Sequence, residues 1–233
     1  MSPRLRHIVW TPCYRIVPSR YPPIHLFERV ANPDDLEAIF VLESLTNERI
    51  RDEVGDLSLV APEDRISGAG TSPIMAAFTH VKPSGGRFTD GTYGAYYAGI
   101  DLDTAIAETV YHREQFMRAT SEMPMQLDMR TYLVDLDAKL HDIRAPKWQA
   151  AMLYDPVSYA ASQPFGRKLR DEGSQGIVYN SVRHAPGQCV AIFRPRLLSN
   201  CRQGAALIYV WDGVRMSEVF KKRVVWSPAV SEK

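Results

Sequence analysis

Short β-branched and aromatic runs dominate the pattern of apolar and polar positions, and only a few segments carry helical spacing. "IVWTPCYRIV", "GAYYAGI", "MRTYLVDLD", "GIVYNSV", "QCVAIFRP" and "ALIYVW" each read as a strand, with "WDGVR" as a hairpin turn leading into "MSEVF". Three segments read as helices. In "NPDDLEAIFVLESL", residues 32–45, Asn32 suits the cap, Pro33 the first turn and Asp34 and Asp35 the positive end, while Leu36, Ile39, Phe40 and Leu45 form an apolar stripe. In "DLDTAIAETVYHREQF", residues 101–116, Asp103 is the predicted cap. Ile106 and Val110 share one face, and Glu108, Tyr111, His112 and Gln115 another. A third stretch is predicted to start at Asp155 and Pro156 and to end at Gly173, kinked or divided by Pro164. Residues 46–71 mix charge with Gly and Pro and read as irregular.

Strands interspersed with a few helices, without regular strand–helix alternation, indicate a mixed α+β fold with a mainly antiparallel β core and flanking helices. The 233 residues are expected to form one domain: a core of about 10–200, a helical insertion at about 30–70 and a C-terminal strand extension at 205–225. No strand is followed by GxGxxG and no serine sits in a GxSxG elbow, which disfavours a Rossmann site and a serine hydrolase.

Charge narrows the partners. The 28 Lys and Arg nearly cancel the 27 Asp and Glu, so direct nucleic-acid binding is not expected and any anion site must be local. No apolar run approaches a membrane span, and the N-terminus lacks a signal-peptide pattern, so a cytoplasmic protein that does not engage membranes is expected. Cys13, Cys189 and Cys201 are odd in number and show no CxxC spacing; reduced thiols are the reading. No metal is expected either, because Glu108 and His112 form a four-residue pair without HExxH or a third ligand.

Chemistry concentrates in "GGRFTDGTYGAYYAGIDLDTAIAETVYH", residues 85–112. In the plain structural reading its glycines make turns, its tyrosines pack in a strand and Glu108 is a solvated helix residue. Against that, a carboxylate among Ala105, Ile106, Ala107 and Val110 needs a partner or a task.

"CYRIVPSRY", "GGRFTDGTYGAYYAG", "AIAETVYH" and "GIVYNSVR", in that order, resemble the RES domain of bacterial Xre-RES toxin–antitoxin pairs. The resemblance runs from about Arg15 to about Arg196. It implies an ADP-ribosyltransferase-like fold and cleavage of NAD+ at the nicotinamide–ribose bond, with ADP-ribose passed to water, phosphate or protein. It further implies that Arg15, Arg87, Tyr97 and Ser181 bind NAD+ and that Glu108, with Arg87 and Tyr97, is catalytic. Tyr96, or Tyr93, is a further aromatic candidate for the nicotinamide, and His112 and Arg183 are candidate cations for a phosphate acceptor. Phe88 and Thr89 stand where the family usually has tryptophan and asparagine. The long segment between the arginines keeps Arg20, Arg49 and Arg51 as alternatives to Arg15.

The resemblance implies no cofactor, with NAD+ as substrate and inorganic phosphate as co-substrate. Expected partners are an Xre-type helix-turn-helix antitoxin and further copies of the chain. A protein ADP-ribosyltransferase and a non-catalytic binding module are the competing readings.

Overall fold

The computed structural model describes residues 3–19, 28, 55–149 and 152–226. The helix predicted at residues 32–45 and most of the insertion lie outside the described residues, as do Arg20, Arg49 and Arg51. Seven strands form one sheet: β1 (Arg4–Pro18), β2 (Tyr96–Gly99), β3 (Met125–Asp142), β4 (Gly176–Asn180), β5 (Gln188–Ile192), β6 (Leu198–Trp211) and β7 (Met216–Lys221). Every pairing is antiparallel except β3 with β4. The mixed, mainly antiparallel α+β class is therefore the observed one.

Long β1 and β3 pair along nearly their whole length, with a register shift between Trp10 and Cys13. On its other edge β3 meets β6 and then, at His141 and Asp142, β4. From β4 the pairing continues to β5, to β2, and back to β1 at Tyr14 and Gly99. Five strands thus close on themselves, while β6 and β7 extend outward from β3 and, among the described residues, leave β7 as the edge.

Alternation along the short strands feeds two separate cores. Val178 and Val190 join Tyr96, Val134 and Leu140 in one cluster, against α1 (Ser72–Thr79) through Ile74, Met75 and Phe78. Ile177, Tyr179, Cys189 and Ala191 point the other way, onto Phe88, Leu153 and Leu169. A third cluster joins α2 (Leu102–Ala119) to the outer strands through Ala105, Met117, Met129, Tyr209 and Trp211. Both faces of β4 and β5 are covered, which explains their continuous apolar runs.

Three local expectations are corrected. The cap of α2 is Asp101, in extended backbone, whose carboxylate accepts the Thr104 N–H at 2.7 Å; Asp103 lies inside the first turn. The third predicted helix is shorter: after the turn Pro146–Gln149 (α3), α4 spans Ser162–Asp171. Pro164 falls in the first turn of α4, where no intrahelical N–H bond is lost, so it neither kinks nor divides the helix. Asp155 instead accepts the N–H groups of Val157 and Ser158 and forms a turn. The outer strands also begin earlier than the predicted extension, at Leu198. Helix α1, built on "SPIMAAFT", was not anticipated; its continuous apolar character lacks a polar stripe to mark a helical period.

Candidate active site

The two glycines before Arg87 shape its position. Gly85 has φ +68°, and a Cβ there would meet the Thr89 carbonyl oxygen at 1.9 Å. The Gly86 N–H donates to both the carbonyl and the hydroxyl of Thr89, closing residues 86–89 into a tight turn. The Phe88 N–H then donates to the Tyr97 hydroxyl at 2.9 Å. Burial pushes the Tyr97 phenol up to about 12, so it stays protonated.

Arg87 is buried, and its Nη1 donates to the Leu153 and Asp155 carbonyls at 3.0 and 2.9 Å. The Tyr159 ring stacks on the guanidinium at 4.8 Å. Residues 152–161 therefore form a strap tied to the turn by Arg87. Its other side is tied to α2: the Tyr111 hydroxyl donates to the Pro156 carbonyl at 2.9 Å, and Arg183 donates to the same oxygen. Arg183 also stacks on the Tyr111 ring at 3.3 Å.

Glu108 lies half-buried on α2, facing the turn that follows β4. Its Oε1 accepts the Ser181 hydroxyl at 2.7 Å and the Val182 N–H at 3.2 Å. Ser181 Oγ in turn accepts the N–H groups of Arg183 and His184, at 3.1 and 3.0 Å, so one side chain shapes the turn and fixes the glutamate. Gly187 permits this approach: a Cβ there would stand 2.2 Å from Thr104 Oγ1 on α2. Among the described residues Glu108 Oε2 accepts no hydrogen bond and no cation lies in ion-pair range of the carboxylate.

One helical turn after Glu108, His112 feels the charges of Lys82, Arg183, Arg113 and Arg87, and Lys82 those of Arg113 and Arg15. Arg15 donates to the Tyr97 carbonyl at 3.2 Å and stacks over the Tyr96 ring at 4.8 Å. Burial lowers its pKa. Lys82 is lowered by desolvation and by Arg113 and Arg15. His112 reaches solvent, yet desolvation in the cleft, followed by the charges of Lys82, Arg183, Arg113 and Arg87, holds it down to about 4. The imidazole is thus neutral near pH 7. In a chain of net charge +1 this is a local concentration of positive potential, of the kind that receives a polyanion.

The fold brings Glu108 and Ser181 into direct contact and sets Arg15 and Arg87 on either side of Tyr97, one at its carbonyl and one beyond the turn at its hydroxyl. His112 and Arg183 are electrostatically coupled beside them. Tyr96 is corrected: β2 alternation turns it to the opposite face, where it is fully buried with Arg15 stacked on its ring, so Arg15 reaches the site only through the Tyr97 carbonyl. Tyr93 is corrected too, being buried with its hydroxyl donating to the Phe88 carbonyl at 2.6 Å. Neither offers a ring to a ligand. Sequence reading missed Lys82 and Tyr159, which come from segments without helical or strand periodicity. Lys82, five residues before Arg87 in "KPSGGR", had a positional cue; Tyr159 had none.

A curated relative, an uncharacterized protein named y4oC from Sinorhizobium fredii (strain NBRC 101917 / NGR234), is 29% identical over 217 residues, covering 89% of this chain and 86% of that protein. Among solved structures, the M. tuberculosis MbcT–MbcA toxin–antitoxin complex contains a chain similar to this one at 12% identity and a TM-score of 0.46, with 86% of each chain covered. The family model of the RES domain matches residues 62–212, the span that carries Arg87, Tyr97, Glu108 and Ser181, and the chain belongs to the RES domain family.

Proposed function

We propose that the chain is an NAD+-cleaving enzyme that acts as the toxin of a toxin–antitoxin pair, and that Glu108 is its central catalytic group. The observation that carries this reading is the state of that carboxylate. One oxygen is fixed by Ser181 and Val182, and the other takes no hydrogen bond among the described residues, one helical turn before His112, on which the charges of Lys82, Arg183, Arg113 and Arg87 converge.

Breaking the nicotinamide–ribose bond sends its electron pair to the pyridine nitrogen, so nicotinamide leaves as a neutral molecule and oxocarbenium charge develops on the ribose. A preorganised carboxylate stabilises that charge more in the transition state than in the ground state. No general acid is needed for this leaving group, which agrees with a site built around one glutamate. The surrounding cations suit the substrate's pyrophosphate, with the arginines able to grip two oxygens at once. Arg87 uses only Nη1 for the strap, leaving Nε and Nη2 for a phosphate oxygen.

Attack on the oxocarbenium carbon by water gives ADP-ribose and a proton; attack by phosphate gives ADP-ribose 1″-phosphate. We favour these small acceptors over a protein because Arg183, whose backbone N–H donates to the Ser181 hydroxyl that holds Glu108, puts a cation beside the catalytic carboxylate. Regulation by an Xre-type antitoxin belongs to the same proposal. Incubating purified protein with NAD+, with and without inorganic phosphate, and identifying products by mass spectrometry tests it. Free nicotinamide with ADP-ribose or its 1″-phosphate is expected. ADP-ribose found only on protein would favour the transferase, and intact NAD+ would overturn the enzyme reading.

A further inference from the structure

The RES family model ends at residue 212, and the chain continues into β7 and an extended segment to residue 226. This part is unusually rich in uncovered apolar surface. Val214, Phe220, Val224, Val225 and Trp226 are exposed, the last three by 77, 94 and 79%. Among the described residues β7 pairs with β6 alone, so its other edge presents N–H and C=O groups unpaired by them. The Lys222 N–H donates to the Ala206 carbonyl at 2.8 Å, which turns the backbone groups of even-numbered residues toward β6 and those of Val219 and Lys221 outward.

We propose that β7 is a self-association edge, pairing antiparallel with β7 of a second copy about a two-fold axis centred at Phe220. Two-fold antiparallel pairing sets residues of equal parity opposite each other, since opposed side chains share a face. Centring at Val219 would place Glu218 against an apolar Phe220. Centring at Lys221 would oppose two ammonium groups. Centring at Phe220 places the two phenyl rings together and Glu218 against Lys222 of the other copy in both symmetry-related positions. In that register Val219 and Lys221 exchange backbone hydrogen bonds with the groups they already turn outward.

Charge and shape thus select one register. Glu218 has no ion pair among the described residues, and the pair that Lys222 makes with Asp128 is exposed at both ends and therefore weak. Beyond the strand, the apolar side chains of residues 224–226 would lie along the partner's Val214 turn and lose their contact with water.

The test is the association state of the full chain by sedimentation equilibrium, with circular dichroism confirming that each variant folds. A dimer is expected. Glu218→Lys and Lys222→Glu should each weaken it by about tenfold, and the double exchange should restore it, because each single change opposes like charges in two places. Phe220→Cys should cross-link to a covalent dimer under mild oxidation, since opposed residues at a non-hydrogen-bonded position lie within disulfide reach. Ser217→Cys and the wild-type chain, whose own Cys13 and Cys189 are buried and whose Cys201 is half-buried, should not, and Cys201→Ser in each background keeps the readout specific. A monomer at every concentration overturns the proposal, as does a dimer indifferent to the charge exchange and unlinked through position 220. A monomer whose β7 takes a strand only from a different protein also overturns it.

Discussion

At the scale of single residues, the account rests on Ser181 and Glu108 acting as a unit. Ser181→Ala removes a hydroxyl that donates to a carboxylate and accepts two backbone N–H groups. A hydrogen bond to a charged group contributes roughly 1.5–3 kcal/mol, so NAD+ cleavage should fall by about ten- to a hundredfold with a fold that is still native. Unaltered turnover would reduce Ser181 to a turn former. His112 gives a titration test. Its folded pKa of about 4 lies below the ordinary histidine value, so the unfolded chain binds more protons between those two pH values and stability should fall as pH drops through that window. His112→Gln should flatten this dependence in denaturant unfolding followed against pH. A diphosphate bound among the same cations should raise the His112 pKa, read by its ring proton shifts.

Sequence reading placed Arg87, Tyr97, Glu108 and Ser181 in one site because each sits in a short motif whose neighbours constrain it. It put Tyr97 in the site through the family resemblance and kept Tyr96 as a further candidate. Adjacent strand residues face opposite sides of a sheet, and only the tertiary arrangement says which side holds the cleft.

At the scale of elements, the site is a junction of α2, the turn at 86–89, the turn at 181–187 and the strap at 152–161. The start of α2 was misread because Asp101 and Asp103 both suit a cap, and extended backbone at Asp101 decides the matter. Asp101→Ala should cost about 1 kcal/mol in chemical denaturation, the usual worth of a cap, whereas Asp103→Ala should cost a few tenths. Equal losses would contradict the assignment. The strap reads as helix from its proline and acidic start, but Arg87 takes the Asp155 carbonyl, and Tyr111 and Arg183 the Pro156 carbonyl, that a helix would have used. Side-chain donors distant in sequence overrode local preference there, and no periodicity could have announced them.

For the whole molecule, the fold class was legible because strand-type runs outnumber helical ones and never alternate regularly with them. The closure of five strands was not, since it depends on a single contact of Tyr14 with Gly99 and on two residues where β3 meets β4 in parallel. That closure carries the site: it brings β2, with Tyr97, beside β5 and sets the turn after β4 against α2. Near-neutral composition hid the cation cluster, which exists only after folding brings residues 82, 87, 113 and 183 to bear on His112, and residues 15 and 113 on Lys82.

The central claim is that this carboxylate performs the bond cleavage, and the rate of nicotinamide release by wild type and Glu108→Gln tests it most directly. The amide keeps the shape of the side chain and loses its charge. Electrostatic stabilisation of a developing charge is worth about 10²–10³-fold in rate, so release should drop by at least about that factor while NAD+ binding and thermal unfolding change little. Nicotinamide release by Glu108→Gln at the wild-type rate would contradict the account.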